Sequence, residues 1–287
     1  MSLNKKALNV EAEIKIAQNL ESLEGRTVLA QAMVEPIRRA LEYQAIGRKL
    51  LMIDELPQGA LARYEKDVRA RAYRISKRGG VPDEIIEGEE ILVPTFELAT
   101  YPQVRISEVK ARRFFIVDRA QIKAKEALQK EEDSNIIRAI EAAVPAENSV
   151  VSSGGTLSMY ALNQAFAAVE LNDLTVAKIL CHALRYADIR VWGQTVFDQA
   201  TLKDVLTTGL FGHLWTADIH VSSRVPRTTV YVLAPAEYVG AFPIRQDITV
   251  IPADDPRNLR LGWVVYEEIG IIIVNNYAIA KVTITGS

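Results

Sequence analysis

Few side chains in this sequence could carry nucleophilic, acid–base or metal chemistry. The imidazoles are His182, His213 and His220, and the one thiol is Cys181. His213 and His220 stand seven positions apart with Asp218 between them. That spacing matches neither His-x-x-x-His nor His-Glu-x-x-His, which set two ligands one helical turn apart. Cys181 lies between Leu180 and His182 and reads as a small buried hydrophobe. A lone cysteine forms no intrachain disulfide and no Cys-based metal cage, which fits a reducing compartment. The stretch SSGGTLS (152–158) sets glycines before a helix, where free N–H groups attract anions, but it lacks the Gly-Lys-Ser/Thr ending of a phosphate loop. It reads instead as a connection in which Thr156 or Ser153 caps the next helix. No Gly-x-Ser-x-Gly elbow is present. The carboxylate pairs Glu89–Glu90, Glu131–Glu132 and Glu267–Glu268 lie in charged settings and read as solvated faces. Nothing here argues for catalysis, and no cofactor or metal is expected.

The elements that would position such residues follow from pattern. At 287 residues the chain can bury a sizeable core. Its 34 basic and 36 acidic residues leave a formal charge of −2, without the basic excess of a dedicated nucleic-acid binder. The N-terminus lacks the apolar core of a secretory signal. The longest apolar runs, such as GIIIVNNYAIA from Gly270, fall short of the ~20 residues needed to span a bilayer. Between residues 10 and 44, Ile14, Ala17 and Leu20, then Val28, Ala32, Ile37 and Leu41, predict two amphipathic helices separated at Gly25. The first is short and charged, an arm that must rest on something else.

From Ala62 the period becomes two: Val68, Ala70 and Ala72 alternate with Arg69, Arg71 and Tyr73, and the partner strand is expected at Val104 to Phe114. Between them Gly79, Gly80, Pro82, Gly88 and Pro94 predict a projecting loop. It has a basic stem of Arg69, Arg71, Arg74, Lys77 and Arg78 and an acidic tip of Asp83, Glu84, Glu87, Glu89 and Glu90. The apolar residues of this loop and its return are Ile85, Ile86, Ile91, Leu92 and Phe96. An isolated two-stranded ribbon is marginal in water, so this one needs a neighbour.

Asp118 with Gln121 forms an Asp-x-x-Gln capping box, and helical spacing runs through Ile122, Leu128, Ile136 and Ile140 to Val144. That predicts a rod of roughly 40 Å. A helix from Leu157 to Val169, a strand from Val176 to Cys181 and a helix from Leu184 to Trp192 give α/β alternation. The stretches GHLWTADIHVSSRVP (212–226) and RTTVYVLAPAEYVG (227–240) add strands, and the tail is β-rich with a turn at Asn275–Asn276.

Arm, long charged hairpin, long helix, α/β lobe and returning strands occur in the order that resembles the major capsid proteins of tailed phages with the Hong Kong 97-type fold. The stretch holding Gly212, Leu214, Trp215, Val221 and Pro226 is similar to that family's Gly-x-Leu-Trp-Gly-x-x-Val segment, with Thr216 in place of the second glycine. Val264 to Ile284 is similar to its closing strands, with Asn276 where proline is common. The resemblance implies an α+β fold with an N-terminal arm and helices (1–60), an extended loop (61–113), a peripheral domain (114–150 and 241–287) and an axial domain (151–240). It implies that Asp118 to Val144 is the spine helix and that the extended loop and arm cross onto neighbouring copies.

The implied function is non-enzymatic: pentamers and hexamers of one chain form an icosahedral shell around double-stranded DNA, held without sequence-specific binding, in the virion and assembled in the host cytoplasm. Near-neutral charge agrees with a wall that does not grip its contents. Scaffold, portal and decoration proteins are the further partners the family implies. A chain starting at Met1 with a short arm is expected to lack a large cleaved scaffold segment. Some family members join a loop lysine to an asparagine of a neighbour. Lys66 and Lys77, with Asn275 or Asn276, are the candidates here, and no motif carries that bond over. Two rival readings stand beside the phage shell: an encapsulin-type nanocompartment of similar fold, and an α+β enzyme with an unrecognised site.

Overall fold

The computed structural model describes residues 23–44, 46–57, 59–65, 90–107, 115–192 and 213–286. Helix α1 (Leu23–Gln44) leads through a single turn, α2 (Gly47–Leu50), to strand β1 (Met52–Glu55). Ala30, Met33 and Ile37, three and four apart, give α1 its buried face. Gly25 lies in the first turn of α1 and does not divide one helix from another, because a glycine near a helix end interrupts few of its hydrogen bonds. The helix expected around Ile14 to Leu20 falls outside the described residues.

Strands β2 (Arg63–Glu65) and β3 (Glu90–Leu92) pair antiparallel, with Arg63 opposite Leu92 and Glu65 opposite Glu90. Strands β4 (Phe96–Thr100) and β5 (Gln103–Arg105) follow. The expected partnership is thereby corrected. Val104 lies in β5 opposite Leu261, not opposite the first arm of the hairpin, and the ribbon closes on itself at Glu90–Leu92. Alternation reveals that a segment is a strand, but it does not say which strand lies beside it. The alternating residues 68–73 are outside the described residues.

The long helix α3 (Phe115–Ala143) starts three residues ahead of Asp118, so Asp118 lies within the helix and is not its cap. Its buried series is Ala120, Ala124, Leu128, Glu132, Ile136 and Ile140. A spacing of four overshoots one turn by about 40°, so the buried stripe rotates around the rod as it advances. The first half therefore meets one core with Met33, Ile37, Trp263 and Val265, and the second half another with Phe166, Ile179 and Val232. Ile122 is out of step with the series and is 51% exposed.

Beyond α3 come β6 (Ser149–Ser153), α4 (Met159–Glu170), β7 (Lys178–Cys181), α5 (Ala183–Val191), β8 (His213–Leu214), β9 (Ala217–Val221) and β10 (Thr229–Leu233). A short α6 (Ala236–Val239) then leads to the long β11 (Gly240–Pro252), β12 (Arg260–Ile269), β13 (Ile272–Ile273) and β14 (Ile279–Thr285). One sheet runs β1-β11-β12-β4, with β13 on β11 and β5 on β12; the other runs β6-β14-β10-β7-β9-β8. Parallel pairing joins β1 to β11, β6 to β14 and β7 to β9, so both sheets are mixed.

Two further expectations change here. Strand β14 lies between β6 and β10, in the sheet of the α/β lobe and not with the strands around β12. Its inward residues Ala280, Val282 and Ile284 match that lobe's core, whereas the β11–β12 sheet is already filled by Trp263 and Val265. The cap of α4 is Ser158, whose hydroxyl accepts the Ala161 amide at 3.1 Å, not Thr156 or Ser153. Gly154 and Gly155, at φ 99° and 74°, make the turn that precedes it.

Candidate assembly surface and buried charge cluster

Of the β2–β3 ribbon, Arg63–Glu65 and Glu90–Leu92 are described; Tyr64 and Ile91 pack on the small buried cluster of Ala62, Val93, Ala241 and Ile272, and the other face is open. Leu92 is 59% exposed, Ile91 is half-buried, and Phe96 at the start of β4 lies with one side to solvent. An Arg63–Glu90 pair at 3.2 Å crosses the ribbon in the open, where its worth is small. The ribbon is fastened at its base: the Val93 amide donates to the Ala62 carbonyl, and the Tyr64 hydroxyl donates to Asp54 at 2.6 Å. Burial and that carboxylate push the Tyr64 phenol well above its usual range. Arg69, Arg71, Arg74, Lys77, Arg78, Asp83, Glu84, Ile85, Ile86, Glu87 and Glu89 lie outside the described residues, as do Lys66 and Gly212.

Among the spine residues, Leu128, Ile136 and Ile140 are buried and Gln121 is half-buried. In the α/β lobe, Leu214 is buried, Val221 is half-buried and Pro226 is exposed. Trp215 adopts the left-handed conformation, φ 53°, in the turn between β8 and β9. That is unusual for a bulky residue and is held by edge-to-face contact with Phe166 at 5.0 Å. The Thr216 hydroxyl donates to the Val176 carbonyl from the same turn.

The histidines do not converge. His182 caps α5 by accepting the Leu184 amide on Nδ1, and His213 pairs with Asp218 at 2.7 Å in the open. Burial and the Lys178 cation hold His220 below its ordinary value. Cys181 is fully buried, and burial pushes its thiol up to about 12, which leaves it unreactive at neutral pH. No group of three potential metal ligands occurs among the described residues.

A charged cluster that the sequence reading missed lies at the meeting of three elements. Arg48 of α2 donates through Nε and Nη2 to Glu132 of α3, at 2.8 and 3.3 Å, and through Nη2 to Glu267 of β12 at 2.8 Å. Both carboxylates have no exposed surface, so the solvated-face reading of Glu131–Glu132 and Glu267–Glu268 is corrected for the second member of the first pair and the first of the other. Asp133, also buried, accepts the Gly47 amide at 2.8 Å. Burial alone would lower the Arg48 guanidinium; the two carboxylates beside it reverse this and hold it above its ordinary value. Burial raises Glu132, opposed by Arg48, and burial together with Glu132 pushes Glu267 up to about 8. Of these groups Asp133 also lines a cavity, with Lys123, Lys130 and Ser222; the chemistry of Arg48, Glu132 and Glu267 is that of a buried structural ion group.

Two mixed sheets served by one long helix, with a separate ribbon between β1 and β4 and the last strand in the far sheet, make an α+β fold that matches the Hong Kong 97-type fold of solved capsid and encapsulin shells. No family model and no curated protein matches the sequence. Among solved structures the chain is similar to the virus-like particle from Pyrococcus furiosus, at 20% identity over 88% of this chain and 98% of that one, TM-score 0.58. It is similar to the capsid structure of the cyanophage P-SCSP1u, at 13% identity over 85% and 89%, TM-score 0.64. It is also similar to the SrpI encapsulin of Synechococcus elongatus PCC 7942, at 15% identity over 82% and 85%, TM-score 0.54. At these identities the likeness is one of fold.

Proposed function

We propose that this chain is the structural subunit of a closed icosahedral shell, a major capsid protein of the tailed-phage kind that encloses double-stranded DNA, with no catalytic role. The observation that carries the reading is the β2–β3 ribbon, a two-stranded pair outside both six-stranded sheets that leaves Leu92 59% exposed. Docked on another copy, such a ribbon gains the third layer it lacks. The extended loop with its basic stem and acidic tip, the spine helix, and the Gly212–Pro226 segment near the symmetry axes are the proposed contact elements. In the same reading, residues 61–113 form the loop apart from β4 and β5, which pair with β12 in the sheet, 114–150 and 241–287 form the peripheral domain apart from β14, and 151–240 form the axial domain. Scaffold, portal and decoration proteins would be partners in the virion. Expression of the full chain, sizing chromatography and negative-stain imaging test this. Closed uniform particles support it, and a strictly monomeric species at high concentration overturns it.

A second reading is favoured by the near-complete coverage of the Pyrococcus virus-like particle and by the encapsulin match. There the shell would hold protein. The contents of purified particles from the native source separate the two: nuclease-protected DNA supports the phage shell, and a co-purifying folded protein supports the compartment.

A further inference from the structure

Arg48, Glu132 and Glu267 form one cation between two carboxylates, all three buried. Fully ionised, the group would hold an uncompensated negative charge away from water, which costs far more than a neutral arrangement. The geometry says which oxygen can take a proton. Both oxygens of Glu132 accept from Arg48, and so does Oε2 of Glu267. Oε1 of Glu267 is buried with no partner among the described residues.

We infer that this cluster is a proton-linked clasp: closed, it keeps one proton on Glu267, and opening it frees α2 from the long helix and releases that proton to solvent. Three elements meet in it, α2 through Arg48, α3 through Glu132 and β12 through Glu267. A second bond, from the Gly47 amide to Asp133, opens with it. Packing is tight at that point, since a side chain on Gly47 would fall inside Ile136 Cδ1.

The charged groups facing Glu267 fix the direction of the effect. From α2 there is Arg48; from α3, Glu132 with Asp133 beside it; from β11, Asp247. On β4 the residue opposite is Leu98. Along β12 itself, Glu268 is engaged by Arg245 and Thr95. Acids outnumber the single neighbouring cation, in keeping with Glu267's rise to about 8. Closed, the glutamate holds its proton up to that pH; open, it ionises near its ordinary value. Between those limits the closed form binds one more proton, so opening grows more favourable by up to tenfold per pH unit and levels off above. The inference rests on the fold and not on the shell reading.

The test is hydrogen exchange on the full chain from pH 5 to 9, corrected for intrinsic base catalysis, in wild type and Glu267→Gln. Wild-type protection across Gly47–Leu50 should fall by up to tenfold per pH unit to about pH 8 and then flatten, while β10 stays constant. Asp133 titrates in both proteins, so the difference between them reports the proton of the Glu132–Glu267 pair, and the variant, with only Glu132 left beside Arg48, should be markedly shallower. Equal slopes overturn the proposal. If Glu267→Gln does not fold, infrared spectra of the wild type decide: a buried protonated-carboxyl band at pH 6 that is lost by pH 9 supports the clasp, and its absence at pH 6 overturns it.

Discussion

The Arg48 guanidinium is the residue on which two buried acids depend. Replacing it with methionine removes their cation while leaving both carboxylates inside, and breaking a buried pair from one side costs about 3–5 kcal/mol. Arg48→Met should therefore lower the denaturant midpoint strongly, whereas the triple change Arg48→Met, Glu132→Leu and Glu267→Leu, which removes all three charges, should restore most of it. Recovery measured by chemical denaturation distinguishes a charge defect from a packing defect. Both glutamates were legible in principle. Glu267 stands in the inward series Trp263, Val265, Glu267, Ile269, and Glu132 in the series Leu128, Glu132, Ile136, Ile140. Each was hidden by an adjacent outward acid, Glu131 or Glu268, that made the pair look like a solvated patch. Arg48 was not legible: it sits in one turn of helix, too short for any period to show which way it faces.

At the scale of elements, α3 shows how one rod can serve two cores. Its apolar stripe rotates, so a residue's worth depends on its phase along the helix rather than on its hydrophobicity. Ile136→Ala removes a fully buried side chain and should cost about 2–5 kcal/mol. Ile122→Ala, at a half-exposed position, should stay within about 0.5 kcal/mol. Denaturant unfolding of the unassembled subunit compares the two; equal losses would mean that the stripe does not rotate. The helix itself, and α4, β7, α5, β9 and β10, were readable because each carries its own apolar spacing or apolar run. Pairings were not. The ribbon's true partner strand and the crossing of β14 to the far sheet depend on contacts between segments distant in sequence, which no local period encodes.

For the whole molecule, the question is what a chain gains from a ribbon that leaves an apolar side chain largely in water. Among the described residues, two strands of three residues make only a narrow ladder and leave Leu92 largely in water, so within one subunit that side chain does little. Leu92→Asp should accordingly leave the subunit's thermal midpoint within the small range typical of exposed positions, about 0.5 kcal/mol in stability. In a shell, the same contact recurs once for every copy, and a modest weakening of each is multiplied over a closed surface. The variant should therefore fold normally yet lose the void-volume particle on a sizing column, with subunits or small rings in its place. Particles that assemble as in the wild type would mean that the ribbon's exposed apolar face does not hold copies together, and the shell would have to be held through the helix and lobe surfaces alone.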